Sequence, residues 1–266
     1  MDFSLWIILA CLGAGALAGL VAGLLGIGGG LVVVPALLFV LGGQAFPPDL
    51  QMHLAIGSSL ATIVFTSSSS TFAHHRKGAV RWDIFWRIAP GVVAGGFIGS
   101  GLAHLASSGL LETIFGIFEL AVAVHILLDR EPPPGSRVPG PLGLLGSGTA
   151  IGALASFLGV GGGVLTVPFL LWCRVQVLEA VATSAVCTLA VALAGTAGFI
   201  VSGWNAPGLP AGATGYVYWP AVAGVSVASM LVAPLGAKLA HRLPRRGLKL
   251  IFAGLLAVVG TRLLMG

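Results

Sequence analysis

Apolar positions along this chain run on without the regular polar interruptions of an amphipathic helix. Stretches at 52–73, 84–103, 110–128, 178–201, 217–238 and 248–264 each hold no more than two charged residues. An α-helix rises 1.5 Å per residue, so about 20 apolar residues cover the hydrocarbon core of a bilayer. Each stretch therefore predicts a membrane-crossing helix. Two further apolar runs, 5–43 and 142–175, are broken by glycine, at LLGIGGGLVVVPAL and FLGVGGGVLTVPFL. The arms after these breaks, 31–43 and 164–173, have only 13 and 10 residues. Both are too short to cross. The pattern predicts a broken helical hairpin in each run, its tip at the glycines.

Composition narrows the class. Hydrophobic residues make up 57% of the 266 positions and charged ones 8%, where a soluble domain carries about 25% charge. The chain reads as an all-α polytopic membrane protein, and the six stretches and two hairpins leave few residues for a domain outside the bilayer. Its start, MDFSLW, lacks the basic region of a signal peptide, so the first apolar run is expected to belong to the mature protein. Cys11, Cys173 and Cys187 are an odd count without CxxC spacing, which predicts neither a disulfide nor a metal site.

The chain repeats itself. Residues 12–38 align with 145–171 without a gap, with 14 of 27 pairs identical, among them Gly28 to Gly30 against Gly161 to Gly163 and Pro35 against Pro168. Weaker echoes follow, AIGSS at 55–59 against AVATS at 180–184, and AHL at 103–105 against AHR at 240–242. These delimit a first transmembrane repeat, 1–128, a proline-rich linker, 129–141, that cannot continue a helix, and a second repeat, 142–266.

Charge gives the relation between the halves. The loop at 74–87 carries four Lys or Arg, and its counterpart at 199–219 carries none. The next pair is reversed: 104–110 has none, whereas 241–249 has four. Equivalent loops are thus expected on opposite sides of the membrane, as in inverted-topology repeats. Residues 74–87, 129–141 and 241–249 come out cytoplasmic and both termini on the other side. The net charge of +5 is then explained by orientation and not by nucleic acid, since 12 of the 13 basic residues fall at or near the cytoplasmic face. Trp6, Trp82, Trp86, Trp172, Trp204 and Trp219 map near the two interfaces, as an aromatic belt does.

The glycine runs carry the candidate chemistry. Lipid cannot satisfy bare N–H and C=O groups, so a helix break at membrane depth must face protein or a water-filled cavity. The helix that starts after each break turns free N–H groups and its positive dipole end toward it, which holds an anion without a basic side chain. Gly28, Gly29, Gly30, Gly161, Gly162 and Gly163 are therefore the expected anion-binding residues. Gly15, Gly19 and Gly23, spaced by four, are read as helix-packing positions.

These motifs, together with AIGSS, AVATS and the basic HHRKGAVRW, resemble the TauE/SafE family of sulfite exporters over essentially the whole chain. The resemblance implies a permease of the bacterial or archaeal inner membrane for sulfite, sulfoacetate or a related anion. The residues alone lead to an anion transporter, and the sulfur comes from the resemblance. An anion channel of the same architecture, or an uptake permease for a different small anion, are the alternatives.

Further candidates are the hydroxyls that follow each break, Ser58, Ser59 and Thr62 in the first half and Thr183 and Ser184 in the second, which can donate to an oxyanion or to a neighbouring helix. The SSSST run at 67–71 is placed on an exit path or in helix packing. Glu119, at the centre of its apolar stretch, is the candidate coupling residue for a proton, against a purely structural carboxyl. His74, His75, Arg76 and Lys77 are read as interfacial. His53, His104, His125 and His241 lack the spacing of a metal site. No cofactor is expected, and an intramembrane enzyme would need a catalytic partner that Glu119 lacks.

Overall fold

The computed structural model describes residues 5–25, 29–42, 46–128, 138–240 and 245–265. Within them the chain is almost wholly helical, in the order α1 (Leu5–Leu25), α2 (Gly30–Gly42), α3 (Pro48–Arg76), α4 (Trp82–Leu105), α5 (Ser108–Leu128), α6 (Pro141–Leu158), α7 (Gly163–Trp172), α8 (Val177–Ser202), α9 (Trp219–Ala240) and α10 (Arg245–Met265). Seven of these, α3, α4, α5, α6, α8, α9 and α10, contain a stretch long and apolar enough to cross a bilayer. The protein is an all-α polytopic membrane protein, as its pattern predicts. The short arms fall where the glycine breaks put them, α2 with 13 residues and α7 with 10. Most of the proposed linker, 129–137, lies outside the described residues.

Glycine sets the helix packing. Lipid tails are as apolar as leucine, so membrane helices associate through close packing of small residues. On α4, Gly91 rests on the backbone of Leu145, Gly95 on Thr149 and Gly99 on Ala153, while from α6 Gly148 and Gly152 rest on Ile88 and Val92. Gly15 and Gly19 of α1 meet Val225 and Ser229 of α9 in the same way, as expected of them. In both pairs the residue numbers rise together, so α4 runs parallel to α6 and α1 to α9. Across the centre they run in opposition. Gly57 of α3 meets Phe199 of α8, and Gly195 of α8 meets Leu60. At the α5–α10 crossing Gly116 meets Leu264 and Gly260 meets Leu120. Helices α3 and α8 are therefore antiparallel, as are α5 and α10.

The segment between α8 and α9 is more ordered than a plain loop. Ala213–Thr214 (β1) and Val217–Tyr218 (β2) pair antiparallel, with Gly212 and Gly215 at φ of 88° and 56°. Gly215 lies against the backbone of Ile200, where no side chain fits. This strap occupies 217 and 218, so α9 starts at Trp219 and not at 217 as the hydrophobic pattern suggests. It folds over the end of α3, with Tyr216, Val217 and Tyr218 all buried.

Candidate functional site

The two helix breaks touch. A Cβ on Gly30, at the start of α2, would stand 2.6 Å from the Val160 Cα and 2.9 Å from the Gly159 carbonyl oxygen, so the two backbones are in direct contact. The second break is built from left-handed glycines: Gly159, Gly161 and Gly162 have φ of 71°, 70° and 65°, a region that costs other residues about 1–2 kcal/mol. Gly159 ends α6 and Gly162 caps α7. The first turns are closed alike. The Gly29 carbonyl accepts from the N–H groups of Val32 and Val33, and the Gly162 carbonyl from those of Leu165 and Thr166. Among the described residues the N–H groups of Gly161, Gly162 and Val164 meet no backbone carbonyl. Gly28 lies outside the described residues.

Beside the breaks is a cavity of about 450 Å³, a size suited to a small ligand with some of its water. Gly29, Val160 and Gly163 form one wall, and the others come from α3, α8 and α9. Its polar lining is hydroxyl: Thr62, Thr66, Ser67, Ser69 and Ser70 of α3, Ser184 and Thr188 of α8, and Ser229 of α9. His74, at the last turn of α3, lies at the far end. The cavity thus runs from the glycine breaks toward the basic HHRK end of α3. A larger, mostly apolar cleft of about 1250 Å³ between α1, α2 and α10 does not contain the breaks.

The predicted hydroxyls divide into two groups. Thr62 and Ser184 line the cavity, although the Thr62 hydroxyl also donates to the Ser58 carbonyl at 2.9 Å. The other three hold backbone. Ser59 Oγ donates to the Gly159 carbonyl at 2.9 Å and so ties α3 to the break. Ser58 Oγ accepts the Tyr218 N–H at 2.9 Å, and Thr183 Oγ1 accepts the Arg81 N–H at 3.0 Å. These two bonds are counterparts, each fastening the residue just before or at the start of an α4 or α9 helix. Arg81 also pairs with Asp83 at 2.8 Å and with Glu179 at 3.3 Å. The hydrogen bond with Asp83 is the main cause that holds its guanidinium above the ordinary range.

Glu119 is elsewhere. It is fully buried at the α5–α10 crossing, its Cβ against Gly260, and among the described residues neither carboxyl oxygen has a hydrogen-bond partner. It does not line the cavity. Thr188 and Ser229, absent from the sequence expectation, do line it. Thr188 stands one helical turn beyond Ser184, so the i, i+4 rule for one helix face would have reached it. Ser229 carries no such signal, because only the α1–α9 packing turns it inward.

Comparison with known proteins agrees with this architecture. The family model described as "Sulfite exporter TauE/SafE" matches residues 11–263. A "Probable membrane transporter protein" of Haemophilus influenzae is 36% identical over 97% of this chain and 98% of its own length. The "Probable membrane transporter protein YunE" of Bacillus subtilis is 27% identical over 94% of both chains. One from Methanocaldococcus jannaschii, "Probable membrane transporter protein MJ0441", is 25% identical over 94% of this chain and 93% of its own. No solved structure matches the chain.

Proposed function

The chain belongs to the TauE/SafE sulfite exporter family, and we propose that it is a secondary transporter that carries a small sulfur-containing anion, such as sulfite or an organosulfonate, out across the inner membrane. A multi-pass membrane transporter follows from the family. The anion, the direction and an ion- or proton-coupled cycle are this proposal.

The observation that carries it is the unpaired backbone at the second break. The N–H groups of Gly161, Gly162 and Val164 find no carbonyl among the described residues, and Gly163 between them forms part of the cavity wall. Buried N–H groups are rarely left without a partner. An oxyanion with several acceptor oxygens supplies what they lack, assisted by the α7 dipole and by hydroxyls such as Thr62 and Ser184. Neutral donors suit a carrier, because they hold the anion without a counter-charge that would trap it.

The helix directions support inverted-topology repeats at 1–128 and 142–266, with α3 antiparallel to its counterpart α8 and α5 to α10. Under the positive-inside rule the His74 end is cytoplasmic and the strap between α8 and α9 is outside. The cavity then leads toward the cytoplasm, while the strap packs on α3 at Gly57 and Ser58 on the other side, an arrangement that loads substrate for export.

Purified protein should bind one or more of sulfite, thiosulfate, sulfoacetate and taurine, with sulfate and phosphate as competitors, and proteoliposomes should show counterflow of whichever binds. No binding of any sulfur anion would overturn the substrate class. Single-channel currents in place of counterflow would overturn the carrier.

A further inference from the structure

We propose that His53 is a proton-binding site, in which the imidazolium ties α3 to the last turn of α4 and locks the strap end of the molecule shut. The site is separate from the cavity and from Glu119. Its link to transport rests on the carrier reading above.

His53 is 4% exposed. Its Nδ1 lies 3.1 Å from the Asp49 carbonyl oxygen, and its Nε2 lies 3.0 Å from the Ala103 carbonyl oxygen. A carbonyl can only accept. A neutral imidazole carries one N–H, so in either tautomer one ring lone pair would face a carbonyl lone pair. The imidazolium alone donates to both. The two carbonyls are thus partners that a charged ring would use.

The surroundings offset part of what a buried cation loses in hydration. Ala103 belongs to the last turn of α4, where the helix dipole presents its negative end. The Tyr216 ring lies 4.9 Å from the His53 ring, centroid to centroid, within the range in which an aromatic ring attracts a cation. The titratable groups around His53 are Asp49 on its own helix, His104 on α4 and Tyr216 on the strap. His104 is exposed, and its Nδ1 meets the Tyr216 hydroxyl at 2.9 Å. This contact joins α4 to the strap beside His53.

The contacts make this a lock. The Tyr216 backbone rests on Gly57, one turn along α3 from His53, and the Tyr218 N–H is held by Ser58. When the proton leaves, one ring nitrogen loses its bond and faces a carbonyl lone pair, either within α3 or across to α4. Breaking the bond to Ala103 frees α3 from α4 beneath the strap. The lock is closed when the proton is bound and loosens as pH rises. Proton release on the strap side would thus accompany opening on that side, so that external pH gates the strap without a proton crossing the membrane.

The test is ¹⁵N spectroscopy of histidine-labelled wild-type protein in lipid nanodiscs, with His53 assigned by its proximity to the ¹³C-labelled carbonyl of Ala103. No variant is required. At about pH 5.5, below the ordinary histidine range, both ring nitrogens should carry protons. The change to one neutral tautomer on raising pH should be accompanied by about tenfold faster hydrogen exchange in the strap, after correction for the intrinsic rate. A neutral His53 at every pH at which the protein stays folded would overturn the proposal. So would an imidazolium whose loss leaves strap exchange unchanged. Neither readout needs a transported anion, so failure here and failure of the transport reading are told apart.

Discussion

Gly162 caps α7 at φ of 65°, and a Cβ there would stand 3.2 Å from a Val191 methyl. Gly162→Ala should cost about 1–2 kcal/mol from the left-handed backbone, read as a lower unfolding midpoint in detergent, and should abolish anion binding by shifting the free N–H groups. Full binding affinity in this variant would refute the backbone cradle. Ser59→Ala should cost about 1–3 kcal/mol, because the buried Gly159 carbonyl loses its donor. Glu119 behaves differently, since its carboxyl oxygens have no partner to lose. Glu119→Met, similar in volume, should leave thermal stability equal or higher, and a clear fall would show that the carboxyl does structural work. At this scale the glycines were legible, because a triplet followed by proline, twice, is hard to produce by composition alone. The hydroxyls were only half legible. Ser58 and Ser59 share their helix face with Thr62 and other residues that look into the cavity, Thr183 lies on the other side of α8, and sequence spacing does not tell a hydroxyl that meets a ligand from one that meets backbone.

The same residue type has opposite consequences from one position to the next along a single helix. Gly95 sits where α4 and α6 approach so closely that a side chain would strike the Thr149 carbonyl and the Ala153 nitrogen, whereas Gly101, on the same helix, has open space around it. Gly95→Val should therefore separate the pair and lower the unfolding midpoint sharply. Gly101→Ala should be neutral or stabilise by up to about 1 kcal/mol, the helix-propensity gain. Equal shifts in the two variants would contradict the packing described. Helix existence and the short arms α2 and α7 followed directly from apolar length, since the membrane fixes how many residues a crossing requires. The strap did not. Its strands have two residues each, too few for an alternating pattern, and their place is fixed by Ser58, Gly57 and the Phe199 carbonyl, which are distant in sequence.

At the scale of the molecule the arrangement turns on direction. Loop charge predicts that equivalent loops face opposite sides, and the packing supports it independently, because α3 with α8 and α5 with α10 descend past one another while α1 with α9 and α4 with α6 run together. A duplicated pair of halves lying parallel would place each helix and its counterpart in the same direction. Two such halves inverted would bring the breaks together from opposite directions, and Gly30 does rest on Gly159 and Val160. Labelling decides it. In a variant with Cys11, Cys173 and Cys187 replaced, Lys77→Cys should react with an impermeant maleimide only from the cytoplasmic side, and Asn205→Cys only from outside. Both positions are exposed, so poor access would not explain a negative result. Reaction of both from one side would refute the inverted topology. The cavity mouth and the His53 lock would still lie at opposite ends of α3, with His53 in the first two turns and His74 in the last, but the assignment of those ends to the cytoplasmic and outer faces would be lost.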